Sequence, residues 1–270
     1  MKWLKLIVLT ALIIYGFIIA IFYGMQRKFI YFPPQLYLSP QAVGLPSFQE
    51  VVINSDDGDK LTAFWAPPKD NTSKVVMFFH GNGSAVFSNH DIFRDLTNIG
   101  VGVLSVGYPG YPGSDGRPSQ ASTGRAARLH HDFLIKEGVT TDKLVYFGTS
   151  LGSGIAAQLA KQHPPSLLIL DAPFNSLLDM GRKHTPFLPV KLLMKDQYKS
   201  DRALTGLDIP LIWTHGTADN VVPISQGQKL FDSYRGPKQA HIIQDGQHTN
   251  LWGLGAREII ITALTNNFNP

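Results

Sequence analysis

Residues 145–160 read VYFGTSLGSGIAAQLA, and this stretch restricts the possible fold more than any other part of the chain. It starts as an apolar run typical of a buried strand and continues as a run of small residues typical of a helix. Between the two lies Ser150, with Gly148 and Gly152 two positions away on either side. The pattern predicts a strand that turns sharply into a helix, with the serine at the turn and glycines where side chains would collide.

The rest of the chain repeats this alternation of apolar strands and helical segments. Two strands joined by a polar turn come first, and further strands then alternate with helices to the C-terminus. Strands that are apolar along their whole length are typical of a parallel sheet that is covered on both faces. We therefore predict an α/β fold in which a mostly parallel central sheet is flanked by helices.

An uncharged apolar run of about twenty residues, Leu6 to Met25, lies near the N-terminus and is long enough to span a bilayer as a helix. A cleaved signal peptide is the alternative, but the run is longer than a usual signal core and lacks a clean A-x-A cleavage site. The predicted organisation is a membrane anchor at 1–28, a Pro-rich connector at 29–48 and one catalytic domain at 49–270. That domain includes a short lid at about 174–205.

The charges beside the apolar run indicate its orientation. Lys2, Lys5 and the amino terminus precede the run, whereas Arg27 and Lys28 follow it. The small excess before the run favours a cytoplasmic N-terminus, so we expect a single-pass protein with its large domain outside the cytoplasm.

Overall composition argues against a nucleic-acid partner and excludes any chemistry that needs cysteine. The chain holds 24 basic and 20 acidic residues, and the four lysines and arginines beside the apolar run account for the whole excess. The remainder is formally neutral, which argues against a nucleic-acid partner. Because the chain has no cysteine, thiolate metal sites, disulfides and cysteine nucleophiles are excluded as well.

A serine at such a turn is a nucleophile only when a base removes its proton and a carboxylate orients that base. In the fold that contains the G-x-S-x-G turn, the acid and then the histidine follow the serine along the chain, each in a loop after a strand. Asp219 and His248 occupy these places, so we predict Ser150, Asp219 and His248 as the catalytic residues. Asp171, which ends an earlier strand, remains an alternative acid.

Acyl-transfer chemistry also needs donors for the developing oxyanion. One predicted donor is the backbone N–H of Leu151, directly after the nucleophile. The second is expected in the loop HGNGS after the third strand, from the N–H of Asn82 or, as the next choice, Gly83.

Seven segments together resemble the α/β-hydrolases, and within them the membrane-anchored Bem46-like group. They are the N-terminal helix with QRKFIYFP, then HGNG, GYPGYPGSDG, GTSLGS, DAPFNSL, HGTADNVVP and GQHTN. The resemblance implies an α/β-hydrolase fold, a Ser150–Asp219–His248 triad and neither a metal nor a cofactor. The last motif departs from the GHND of many relatives but keeps the histidine.

We therefore expect a serine hydrolase that cleaves a carboxylic ester or thioester, with a small-molecule or lipid-like acyl substrate. A serine peptidase of the same fold, or a membrane-tethered binding protein without activity, is the alternative; acyl transfer is a further one. The lid combines basic and apolar residues and allows two interpretations. It either lies against an anionic bilayer and lines an acyl pocket or packs on the domain with a solvated basic face, which we prefer.

Overall fold

The computed structural model describes residues 1–55 and 57–266; for His184 it describes the backbone only. The strands run in this order: β1 (Gln49–Asn54), β2 (Lys60–Ala66), β3 (Val75–Phe79), β4 (Gly102–Ser105), β5 (Leu144–Thr149), β6 (Leu167–Asp171), β7 (Leu211–Gly216) and β8 (Lys238–Ile243). The helices are α1 (Lys2–Ile30), α2 (His90–Asn98), α3 (Gln120–Lys136), α4 (Leu151–Gln162), α5 (Leu177–His184), α6 (Val190–Leu193), α7 (Ser200–Leu204), α8 (Ile224–Ser233) and α9 (Ala256–Thr265).

The strands form one sheet in the order β1-β2-β4-β3-β5-β6-β7-β8. The first two strands pair antiparallel, and β2 is also antiparallel to β4. All pairings from β4 across to β8 are parallel. Apolar clusters cover both faces of the sheet, which explains why β3 and β7 are buried along their whole length. The predicted mostly parallel α/β sheet is confirmed.

Close packing at the turn between β5 and α4 explains the glycines of the opening motif. A β-carbon on Gly148 would lie 2.5 Å from the carbonyl oxygen of Gly152. A β-carbon on Gly152 would overlap the carbonyl of Phe79 at the end of β3. The helix therefore starts directly against the sheet, and this contact aims Ser150 at the carboxyl ends of the parallel strands.

The N-terminal helix α1 extends through Ile30, beyond the predicted anchor boundary at residue 28. Its 29 residues correspond to about 43 Å at 1.5 Å per residue, compared with about 30 Å for the hydrocarbon core of a bilayer. It is long and apolar enough to cross a membrane, and none of its residues is buried in the protein. The excess length lets its C-terminal turns reach the lid, which lies between β6 and β7 and contains α5, α6 and α7.

Candidate active site

Ser150 lies at the carboxyl end of β5 in a backbone conformation that L-residues rarely adopt, with φ 50° and ψ −119°. Its N–H donates to the carbonyl of Asp171 at the end of β6, with an N–O distance of 2.9 Å. The next residue, Leu151, begins α4. A strained serine between a strand and a helix has the geometry of a nucleophile elbow.

The structure brings the three predicted catalytic residues together. His248 follows β8, and its Nε2 lies 2.9 Å from Ser150 Oγ. Its Nδ1 lies 2.7 Å from Asp219 Oδ2 in the loop after β7. Because a carboxylate only accepts hydrogen bonds, Nδ1 carries the proton and Nε2 is free to accept from the serine hydroxyl.

The carboxylate of Asp219 is buried and fully hydrogen-bonded. Its Oδ1 accepts from the N–H groups of Val221 and Val222, at 2.9 and 2.8 Å. Its Oδ2 faces His248 and lies 3.4 Å from Nε2 of His215. Burial raises the pKa of this carboxyl, but the bonds from His215, His248 and the Val222 N–H outweigh burial and hold the pKa below its usual range. Asp219 is therefore ionised at neutral pH.

His215 contributes to this site in a way that the sequence analysis missed, because we expected it only to support a loop. Trp213 Nε1–H donates to its Nδ1 at 3.1 Å, so Nε2 carries the proton. That proton is shared between the Val222 carbonyl, 2.9 Å away, and the Asp219 carboxylate. His215 thus holds the Asp219 loop from inside the sheet. Trp213 and His215 are two residues apart and therefore point to the same face of β7. This spacing was the signal in the sequence that could have indicated their contact.

The predicted oxyanion donors flank the serine. Among the described residues, no protein acceptor takes the N–H of Leu151, Asn82 or Gly83. The loop is close to the elbow, since a β-carbon built on Gly81 would lie 3.6 Å from Ser150 Cβ. Asn82 is held in place through its side-chain oxygen, which accepts from the Phe32 N–H and the Tyr111 hydroxyl at 2.9 and 3.0 Å.

Among the hydrogen bonds of the described residues, none joins Asp171, the alternative acid, to His248. Its carboxylate accepts from the hydroxyl of Thr214 on the neighbouring strand. Burial raises the pKa of Asp171 to about 6, although the Thr214 bond opposes this shift. It lines the wall of the site, and the structure places Asp219 rather than Asp171 beside the imidazole.

A cavity of about 700 Å³ opens onto the serine and the histidine. Its wall combines the loop after β3, the elbow, the end of α1 and the start of the lid. Among the described residues, no group of three or more histidine, aspartate or glutamate side chains is arranged to bind a metal. The apolar part of the lining includes Phe29, Ile30, Phe32, Phe174, Leu177, Met180, Val221, Leu251 and Trp252.

A family model described as alpha/beta hydrolase fold matches residues 74–201. Among curated proteins, an uncharacterized protein of Mycobacterium tuberculosis is 30% identical over 249 residues, which cover 92% of this chain and 88% of the relative. The alpha/beta hydrolase domain-containing protein WAV2 of Arabidopsis thaliana is 26% identical over 260 residues, covering 87% and 84%.

Solved structures show the same architecture. An esterase of Pyrococcus furiosus superposes with a TM-score of 0.68 at 18% identity, covering 87% of this chain and 96% of the esterase. At such identity the likeness concerns the fold. The family-model match, residues 74–201, includes the strands β3 to β6 and Ser150 and ends before Asp219 and His248.

Proposed function

The chain belongs to the α/β-hydrolase superfamily, and on that basis we propose that it is a serine hydrolase that cleaves a carboxylic ester or thioester. One observation carries the proposal. Ser150 Oγ, His248 and Asp219 form a continuous hydrogen-bonded series of 2.9 and 2.7 Å. Beside it, the N–H groups of Leu151 and Asn82 have no acceptor within the part of the chain that the structure describes. Binding alone would require none of these three side chains in three separate loops. The esterase among the solved neighbours agrees with this reaction class.

In the proposed acylation step, Ser150 Oγ attacks the carbonyl carbon and transfers its proton to His248 Nε2. Asp219 stabilises the resulting imidazolium and keeps its ring oriented. The tetrahedral oxyanion accepts from the N–H groups of Leu151 and Asn82, with Gly83 next to them. When the intermediate collapses, the alkoxide or thiolate leaves with the proton from His248, and an acyl-serine remains.

Deacylation repeats the sequence with water as the nucleophile. His248 takes a proton from water, the hydroxide attacks the acyl carbonyl, and Ser150 departs as its protonated hydroxyl. The carboxylic acid is released and the imidazole is neutral again.

We also propose that α1 anchors the enzyme as a single membrane span, in the manner of the Bem46-like group. The length and apolar surface of α1 support this, and the charge balance around the run supports a domain outside the cytoplasm. Alkaline carbonate extraction of membranes tests the anchoring, and protease accessibility in intact cells tests the side. Release by carbonate would contradict a membrane span.

Labelling with a fluorophosphonate probe tests the activated serine. Full-length wild type should label strongly, whereas Ser150→Ala and His248→Ala should lose at least 99% of the signal. Ser150→Ala lacks the nucleophile, and His248→Ala lacks the general base, whose removal lowers the reaction rate about 10²–10⁴-fold. Ser84→Ala is the matched control: this serine lines the same cavity, and its variant should label like wild type. Substrate panels of esters, thioesters and peptides then identify the bond cleaved.

The outcomes separate the alternatives. Turnover of p-nitrophenyl acetate that depends on Ser150 would support esterase chemistry, whereas peptide turnover without ester turnover would favour the peptidase alternative. If folded wild type does not label, the proposed mechanism is wrong and a membrane-tethered binding protein becomes the better explanation.

A further inference from the structure

The C-terminal turns of α1 are bonded to the lid instead of leading away from it. Gln26 Oε1 accepts from the Lys195 N–H at 2.8 Å, and its Nε2 donates to the Leu193 carbonyl at 3.2 Å. Arg27 pairs with the buried carboxylate of Asp196 at 2.9 Å. These contacts hold the end of the helix and the end of the lid in one arrangement.

A second set of contacts extends this arrangement in both directions along α1. Just after the helix, the hydroxyls of Tyr31 and Tyr198 form a buried hydrogen bond of 2.9 Å. Nearer the N-terminus, the Tyr15 hydroxyl donates to the carbonyl of Phe187 at 2.8 Å. The lid therefore follows the helix from its last turn back to its middle.

These contacts locate the lid relative to a bilayer. Tyr15 and Gln26 lie about 16 Å apart along the helix axis at 1.5 Å per residue, which is about half of a 30 Å hydrocarbon core. If α1 spans the membrane, the lid tip at Phe187 lies within the adjacent leaflet. Its side chains suit that position, because Phe187 is 59% exposed and Leu192 is 84% exposed.

The basic residues of the lid are compatible with this placement. The side chains of Arg182, Lys183 and Lys191 are exposed. Long cationic side chains bury their apolar stems and extend their charges to the interface, where anionic lipid headgroups attract them.

An apolar cavity of about 350 Å³ lies between α1 and the lid. Four of its lining residues, Phe29, Ile30, Leu177 and Met180, also line the cavity that contains Ser150 and His248. The two cavities therefore share a wall at the end of α1. The far part of the apolar cavity is lined by Phe22, Tyr23, Gln26, Gly181, Thr185, Leu188, Val190, Leu193 and Met194.

We propose that this pair of cavities is an acyl-chain channel formed by the membrane helix and the lid, and that the substrate is a long-chain acyl ester that resides in the bilayer. The proposal rests on the serine-hydrolase function above. The acyl chain lies between α1 and the lid, while the carbonyl reaches Ser150. A chain that enters sideways from the leaflet passes from hydrocarbon to an apolar wall and avoids exposure to water.

A cavity-filling substitution tests the channel in the full-length enzyme reconstituted in phosphatidylcholine vesicles. Leu193→Trp places an indole in the apolar cavity, away from the serine. We expect its kcat/KM for p-nitrophenyl palmitate to fall at least tenfold, with the rate on p-nitrophenyl acetate within twofold of wild type. Leu192→Trp is the matched control, since the neighbouring leucine faces outward and should leave both rates within twofold.

Each outcome has one meaning. Unchanged palmitate turnover in Leu193→Trp, or a wild type without preference for palmitate over acetate, would overturn the channel while leaving the serine-hydrolase proposal in place. Wild type that neither labels with fluorophosphonate nor cleaves either ester would overturn the proposed function itself.

A measurement on wild type covers the case in which Leu193→Trp fails to fold. A long-chain alkyl fluorophosphonate with a terminal diazirine fixes its head to Ser150, and irradiation crosslinks its tail. Peptide mapping should place the crosslinks in α1 residues 22–30 or lid residues 177–194. Crosslinks confined to the other walls of the catalytic cavity, around Ile92 or Trp252, would overturn the channel.

Discussion

At the scale of single residues, the proposed chemistry at Ser150 depends on groups that hold a strained backbone in place. The φ of 50° is maintained because the Ser150 N–H is bonded to β6 and the following residue is already in α4. His248 and Asp219 then complete the site from loops at the ends of β8 and β7. Each side chain is positioned by a different element, so single substitutions test their separate contributions.

Substitution of the buried acid tests its orienting role. Asp219→Asn retains the shape but replaces one carboxylate oxygen by an NH₂ donor, which disfavours the Nδ1–H form of His248. We expect kcat for p-nitrophenyl acetate to fall about 10³–10⁴-fold. A measurable melting temperature shows that the variant still folds. Asp208→Asn is the control, because this aspartate is exposed and lies before β7, whereas Asp219 and His248 follow β7 and β8. A kcat within threefold of wild type in Asp219→Asn would contradict the assignment.

The raised pKa of Asp171 predicts that the stability of the protein depends on pH. Its pKa rises from 3.8 to about 6 on folding, so between these values the unfolded chain loses a proton that the folded chain retains. Ionisation of this carboxyl therefore lowers stability as pH rises from 4 to 6, by up to about 3 kcal/mol at 1.36 kcal/mol per pKa unit.

Asp171→Asn removes this titration. Its free energy of unfolding relative to wild type should increase between pH 4 and 6 and stay constant above, as measured by denaturant titration in detergent. A difference that does not vary with pH would show that Asp171 ionises normally in the folded protein.

At the scale of secondary-structure elements, two helix glycines should respond in opposite ways to alanine. In Gly152→Ala the new β-carbon collides with the Phe79 carbonyl, and α4 must move off the sheet; we expect a loss of about 1–3 kcal/mol or more. In Gly124→Ala nothing lies within 4 Å of the new atom in α3, so helix propensity should add about 0.5–1 kcal/mol. Thermal unfolding compares the two, and equal effects would contradict the packing described for the elbow.

At the scale of the whole molecule, α1, the lid and the hydrolase domain share one set of contacts. Asp196 in the lid accepts from Arg27 of α1 and from the Gln120 N–H at the start of α3, both at about 3 Å. Because its side chain is 4% exposed, this carboxylate depends on its partners. Helix α1 is thus part of the structure that encloses the site.

Removal of the Arg27 side chain tests this coupling. Arg27→Ala leaves the Asp196 carboxylate buried with fewer donors, and we expect a loss of about 1–3 kcal/mol in unfolding free energy. Arg125→Ala is the matched control, since its pair with Asp57 is exposed at both ends and should contribute less than about 1 kcal/mol. Equal losses from both variants would contradict this coupling of α1 to the domain.

The sequence by itself determined the sheet class, the strand–turn–helix around Ser150, the order of Ser150, Asp219 and His248, and an apolar helix long enough to cross a membrane. These features depend on periodicity and turn chemistry within a few residues. It favoured Asp219 but did not exclude Asp171 as the acid, because both residues come at or after the end of a strand. The tertiary structure places Asp219 beside the imidazole, since the parallel pairing of β7 with β8 brings the two loops after these strands together.

The arrangement of the lid was also decided only by tertiary structure. From the sequence we preferred a lid packed on the domain with a solvated basic face; Arg182, Lys183 and Lys191 are exposed, which both interpretations of the lid allow. The contacts with α1, however, join residues such as Tyr31 and Tyr198 that are 167 positions apart. No local pattern encodes such a pair, because it forms only when the sheet has placed the lid beside the end of α1.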